Sequence, residues 1–228
     1  MAAITWDGTG ERKYESGVSH GVLYPMNSDG TYATGVAWNG LISVSNSPDG
    51  AEPNELWADN MKYAILRSAE TLSLTIEAYT YPPEFEPCDG MVTPSSGNKT
   101  ATGMIIGQQA RQAFGFCYRT EVGTDANNNA GYKLHLVYGC TATPSDKDYE
   151  TINDNPDAIT FSWDIDTVPY SFPNQTAYAN YKPVSEIVLD SIAVGDTKMA
   201  AIEALLYGGD NADPQLPTPV TVISTLTA

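Results

Sequence analysis

Apolar residues recur at every second position through the middle of the chain. In TLSLTIEA, Leu72, Leu74, Ile76 and Ala78 fall on one side of an extended strand, and Thr71, Ser73, Thr75 and Glu77 fall on the other. AITFSWDID follows the same rule, with Ile159, Phe161, Trp163 and Ile165 set against Thr160, Ser162, Asp164 and Asp166. FGFCYRT lines up Phe114, Phe116 and Tyr118, and YKLHLVYG lines up Tyr132, Leu134, Leu136 and Tyr138. The turn-rich GTDANNNAG between those two segments predicts a long hairpin, and VSEIVLDSI predicts a further short strand. Upstream, GVAWNGLISVSNS and ELWADNMKYAIL flank SPDGAEP, whose Pro, Asp and Gly predict a second hairpin or a longer projecting loop. The recurring theme is a sheet with one wet face.

One segment changes period. In DTKMAAIEALLYGG, Met199, Ile202, Leu205 and Leu206 share a helical face, Asp196 is placed to cap the first amides and Gly208 to stop the last turn. This predicts a helix over about 196–207, and SDKDYETIND, residues 145–154, predicts a shorter helical turn. From residue 210 the chain is punctuated by proline and then β-prone, which predicts an arm or edge strand instead of a second domain. The expectation is a mainly β fold over 1–228 with one flanking helix, an N-terminal segment 1–30 and a C-terminal arm 210–228. No internal repeat is visible.

Composition sharpens this. The 19 glycines and 15 prolines suit many short strands joined by turns. The 28 acidic against 11 basic residues give a net charge of −17, which repels a phosphate backbone and disfavours tight nucleic-acid binding. A conduit through which DNA slides without sticking is still compatible with that charge. The opening MAAITWDGTGERKYESG has no basic stretch followed by an apolar core, so a soluble product made in the cytoplasm is expected. Cys88, Cys117 and Cys140 contain no CxxC or Cys/His spacing and are expected to be reduced thiols. The glycosylation acceptor patterns at Asn98 and Asn174 carry little weight without a secretory route.

Candidate chemistry is sparse. TIEAYTYPPEFEPCDG sets Glu77, Glu84, Glu86 and Asp89 among Tyr79, Tyr81 and Phe85, a composition that glycosidases and sugar-stacking sites share. Pro82, Pro83 and Pro87 argue instead for a rigid surface connection, and the rings for packing over a sheet edge. Asp125, Asn127 and Asn129 imitate the start of a calcium loop, but Ala130 and Leu136 stand where its glycine and glutamate belong. His20 and His135 are the only histidines, and no nucleophile motif accompanies either. A binding or assembly protein without cofactor or metal is expected, not an enzyme. A carbohydrate-binding β-sandwich is the alternative reading.

The segments GVAWNGLISVSNSPDGAEPNELWADNMKY, TLSLTIEAYTYPPEFEPCDG, IGQQARQAFGFCYRTEVG, GYKLHLVYG, AITFSWDID and EALLYGGDNADPQLPTP together resemble the major tail protein, or tail tube protein, of long non-contractile-tailed bacteriophages. The likeness runs from about residue 30 to 217. The resemblance implies a β-sandwich tail-tube fold in hexameric rings, stacked into a tube with a β-lined lumen, assembled in the bacterial host cytoplasm and located in the virion tail. Its implied partners are further copies of itself, the tape-measure protein and the tail terminator or distal tail protein, with double-stranded DNA passing through and no membrane anchor. On that footing the expected lumen-facing residues are Thr71, Ser73, Thr75, Glu77, Thr160, Ser162, Asp164 and Asp166. The expected contact between rings runs through Asn46, Ser47, Pro48, Asp49, Gly50, Asp59 and Asn60, with the stretch from Pro214 as a second candidate. Arg111, Arg119, Lys133 and His135 are expected to include pairs with acidic neighbours at subunit contacts, which salt would loosen.

Overall fold

A computed structural model describes residues 4, 6–50, 53–67, 70–144, 147–149, 151, 158–209 and 212–228, without the side chains of 49, 50 and 67. In chain order its strands are β1 (Lys13–Pro25), β2 (Val36–Trp38), β3 (Leu41–Gly50), β4 (Pro53–Ala58), β5 (Met61–Arg67), β6 (Glu70–Ala78), β7 (Ser95–Ser96), β8 (Lys99–Thr100), β9 (Phe114–Thr124), β10 (Gly131–Ala142), β11 (Phe161–Thr167) and β12 (Glu186–Asp190). Three helices follow, α1 (Ser191–Val194), α2 (Asp196–Tyr207) and α3 (Pro219–Thr227). The predicted turn at 145–154 lies largely outside the described residues.

Eight strands form one antiparallel sheet in the order β2-β1-β9-β10-β11-β6-β3, with β12 also on β10. The outer edge of β10 is therefore shared. Lys133 to Val137 pair with β12, and Cys140 to Ala142 pair with β11. The change of partner falls at Gly139, whose φ of +62° lies in the left-handed region, and a Cβ there would stand 2.3 Å from the Val168 carbonyl oxygen. Only glycine accepts both constraints without strain. The Gly139 amide donates to the Tyr32 hydroxyl at 3.0 Å, and its carbonyl accepts from Val168 N at 2.9 Å.

Two apolar clusters flank the central strands. On one side Phe114, Phe116 and Tyr118 of β9 meet Leu72, Leu74 and Ile76 of β6 and Trp163 and Ile165 of β11. On the other side Cys117, Leu134, Leu136 and Tyr138 meet Met199, Ile202 and Leu206 of α2 and Val222 of α3. The expected single wet face thus holds for β3, β6 and β11 but not for β9 and β10, which are covered on both faces. An alternating strand between a sheet layer and a helix layer must fill both faces, and the residues between its large apolar ones supply the second set.

Several local expectations are corrected. The turn of the upstream hairpin is not SPDGAEP. Instead β3 runs on through residues 47–50 paired with β6, and β4 turns into β5 at Asp59 and Asn60, with φ of +51° and +60°. Asx residues tolerate that left-handed pair, which matches the twist of a two-residue hairpin. The cap of α2 is Gly195, with Asp196 inside the first turn, and Leu205 is exposed while Leu206 is buried. The β-prone ending is a helix: Thr218 Oγ1 accepts from Thr221 N, Pro219 opens the first turn, and Val222 seats against the α2 layer. In place of a free arm, Leu216 and Val222 are buried on their own chain, and the Tyr138 hydroxyl donates to Pro217 O. Residues 13–25 of the supposed N-terminal segment are a paired strand of the sheet.

The acidic, proline-rich stretch after β6 is not a solvated loop either. Pro82 and Pro83 start a single 3-10 turn that drives Phe85 to 0% exposure, 5.2 Å from Trp163 and 4.5 Å from Trp38 between ring centroids. It plugs one end of the aromatic core. Phe85→Ala is expected to lower unfolding free energy by about 3–5 kcal/mol in urea titrations, whereas Glu84→Ala, exposed one residue earlier, should stay within about 0.5 kcal/mol.

All three cysteines are buried free thiols. Burial pushes Cys88 and Cys117 up to about 12, and Tyr32 likewise to about 12 against a weaker opposing bond from Gly139. A proton held more tightly when folded contributes stability that is whole below the unfolded value and is lost as pH rises towards the folded one. The urea midpoint should therefore fall between pH 9 and 12, and the thiols of folded protein should resist an aromatic disulfide reagent until the chain unfolds.

Candidate functional site

The free face of β3, β6 and β11 is built from the alternate residues that the aromatic core does not use. Strand pairing sets them in rows: Ser43, Glu77 and Ser162; Ser45, Thr75 and Asp164; Ser47, Ser73 and Asp166; then Asp49 and Thr71. None of these positions is basic. Within the rows Ser43 Oγ donates to Glu77 Oε2 at 2.9 Å, Thr75 Oγ1 to Asp164 Oδ1 at 2.8 Å and Ser73 Oγ to Asp166 Oδ1 at 3.1 Å. Glu77, Asp164 and Asp166 are each held by a hydroxyl one strand away, so among the described residues the face is acidic and polar without a counter-cation. Seven of the eight residues expected on the polar face therefore fall on it or at its end. The eighth, Thr160, is exposed but precedes β11.

The residues expected to meet another ring divide between two places. Asp59 and Asn60 form the exposed tip of the β4–β5 hairpin. Asn46 to Gly50 lie at its base in β3, with the Asp49 and Gly50 side chains outside the described residues. Above the base, the hairpin exposes large apolar groups on both strands: Leu56, Trp57, Met61, Tyr63, Ile65 and Leu66. Alternation alone gave no sign of this, because both faces carry apolar residues and neither is covered.

Asn46 is exposed, lies on the core side of β3 opposite Leu74, and belongs to a network that spacing did not reveal. Its Nδ2 donates to Glu186 Oε1 at 3.1 Å and Oε2 at 3.2 Å, and its Oδ1 accepts from the Tyr118 hydroxyl at 3.3 Å. Glu186 also meets His135 Nδ1 at 2.9 Å, and His135 Nε2 lies 3.2 Å from Thr120 Oγ1. The imidazole stacks on Tyr118 with centroids 4.4 Å apart and planes 6° from parallel. Four strands are tied here by side chains, and burial beside Glu186 pushes the Tyr118 phenol upward.

Two more of the four cations are engaged inside the chain. Lys133 pairs with Glu15, and Arg119 pairs with Glu121 at 3.2 Å while lying 3.8 Å from the centre of the Tyr132 ring. Arg111 is exposed. Asp125 Oδ1 accepts from Gly10 N at 2.9 Å, in the segment before β1, and Asn127 Oδ1 from Asn129 N at 3.0 Å, so the calcium-like loop spends those oxygens on backbone amides. Of the proposed sugar platform, Tyr81 stands edge-on to Phe161 and Trp163 within the core margin, with Lys147 over its ring at 5.8 Å. Ser19 Oγ lies 3.0 Å from His20 Nδ1 on an irregular stretch of β1.

No family model matches the chain and no curated protein matches it. Among the described residues no helix is long and apolar enough to cross a membrane, and no group of three or more His, Cys, Asp or Glu is arranged to hold a metal.

The Glu186 carboxylate accepts bonds from the buried His135 and from the exposed Asn46. Glu186→Ala is expected to cost about 1–3 kcal/mol in urea unfolding, and Glu186→Gln less, with the Asn46→Ala effect largely absorbed once Glu186 is gone.

Proposed function

We propose that this chain is a structural protein that self-assembles into stacked six-membered rings, forming the tube of a phage tail through which double-stranded DNA passes. In this reading the eight-stranded sheet folds over so that β6 and β11 pack across the aromatic core from β9 as a β-sandwich subunit flanked by helices, and β3, β6 and β11 present their free face to the bore. The observation that carries it is the acid and hydroxyl composition of that face, with no basic residue in any cross-strand row. Fixed negative charge on all sides of a bore repels phosphates and keeps a duplex centred, and hydroxyls wet the wall without binding it tightly. The exposed hairpin adds a second support, because a chain that assembles must show apolar surface that its monomer leaves uncovered.

Closed rings would remove the open edges of β2 and β3, and a stacked repeat would cover the hairpins. The tape-measure and terminator or distal tail proteins would then be the partners inside and at the ends of the tube.

Negative-stain microscopy of purified protein over rising concentration tests this: rings or tubes are expected, and a monomer at every concentration and salt would overturn the reading. A second expectation concerns the wall. Asp164→Lys with Asp166→Lys should leave tubes that assemble but release DNA more slowly, with release recovering as salt screens the new contacts. Unchanged release kinetics in such particles would remove the bore assignment of β11.

A further inference from the structure

We propose that a groove between the end of β10 and the loop joining β1 to β2 receives the β4–β5 hairpin of a second copy of this chain. The inference rests on the self-assembly reading and names the two surfaces that meet. The groove measures about 920 Å³ and is rimmed by Tyr32, Tyr138, Val168, Tyr170 and Leu216. None of the residues lining it is charged.

That neutrality selects the occupant. Two copies each carrying −17 repel wherever acidic surfaces approach, so contact is favourable only through patches where charge is absent or cancelled. The hairpin comes close to being such a patch, with Asp59 at its exposed tip the one charge left unpaired among its described side chains. Trp57, Met61 and Tyr63 are 65%, 62% and 73% exposed, and its Lys62 and Glu55 pair with each other across the strands. Its strands pack chiefly on one another, and no hairpin residue lines the groove of its own chain. A lone two-stranded ribbon is marginal in water and gains order when covered. Trp57 and Tyr63 together offer about 300–500 Å² for burial, a substantial part of what one partner contributes to a specific interface. Knob and hole lie at different places on one chain, so the contact is head-to-tail and repeats.

Disulfide trapping between copies tests it. Ala58→Cys adds a thiol beside Trp57, Val168→Cys adds one to the exposed groove rim, and the native thiols are buried. Mixed under oxidised glutathione, these two proteins should cross-link roughly tenfold faster than Ala58→Cys with Ser45→Cys on the polar face, and Val168→Asp should raise the assembly concentration by roughly tenfold. Trp57→Ala should raise it similarly. Equal trapping with both partners, or Val168→Asp protein that assembles like the parent, overturns the groove assignment and leaves the tube reading standing. Parent protein that never assembles removes both.

Discussion

The left-handed glycine at 139 is the constraint on which the architecture depends. A strand has two edges, and β10 gives one to β9 and must divide the other between β12 and β11. An extra residue in a left-handed conformation ends one pairing and re-aims the strand for the next. Tyr32 and Val168 take up the amide and carbonyl that the bulge releases, so the change leaves no backbone group of Gly139 unpaired. Beyond it, β11, β6 and β3 continue the sheet while their apolar side shares a core with the face of β9 that holds Phe114 and Phe116. A straight β10 would have no reason to split its edge in this way.

From that division follows the distribution of chemistry. The inner strands are packed on both faces along most of their length, and polar groups there are held in fixed pairs such as His135 with Glu186 and Arg119 with Glu121. The outer three strands keep one face free. There the hydroxyls of Ser43, Ser73 and Thr75 orient three carboxylates by short hydrogen bonds, as arginines often do elsewhere. An arginine would fix the carboxylates equally well but would cancel the charge. The hydroxyls preserve it.

Period-2 alternation made β6, β9, β10, β11 and β12 legible, and the 3.6 period made α2 legible, because in each the core takes a regular set of positions. The acidic rows were half legible: alternation assigns Thr75 and Asp164 each to a face, but only register places them side by side. What sequence left open is what long-range packing decides. Pro219 and Thr218 carry an ordinary helix start, yet Val220, Thr221, Val222 and Ile223 favour strand until α2 provides a surface for a helix. Phe85 reads as a surface ring until the turn at Pro83 is seen to aim it inward. Asn46 reads as a loop polar residue, and its place on the core side of β3 follows from its pairing with Leu74.

Three of the four cations expected to include pairs at subunit contacts make contacts within their own chain. If Arg119, Lys133 and His135 reached across to acidic residues of a neighbouring copy, salt would screen attraction and loosen an assembly. These three are paired within the chain while Arg111 stays exposed, so the dominant long-range term between approaching copies is the repulsion of their net charge. Screening then weakens the opposing term while leaving apolar burial by Trp57 and Tyr63 intact or strengthened. If copies associate as proposed, the net charge would protect the chain from indiscriminate aggregation while the neutral groove and the apolar hairpin direct it to one geometry. Raised ionic strength acts on the protection and not on the direction, so it should favour assembly of this chain without changing how the copies fit.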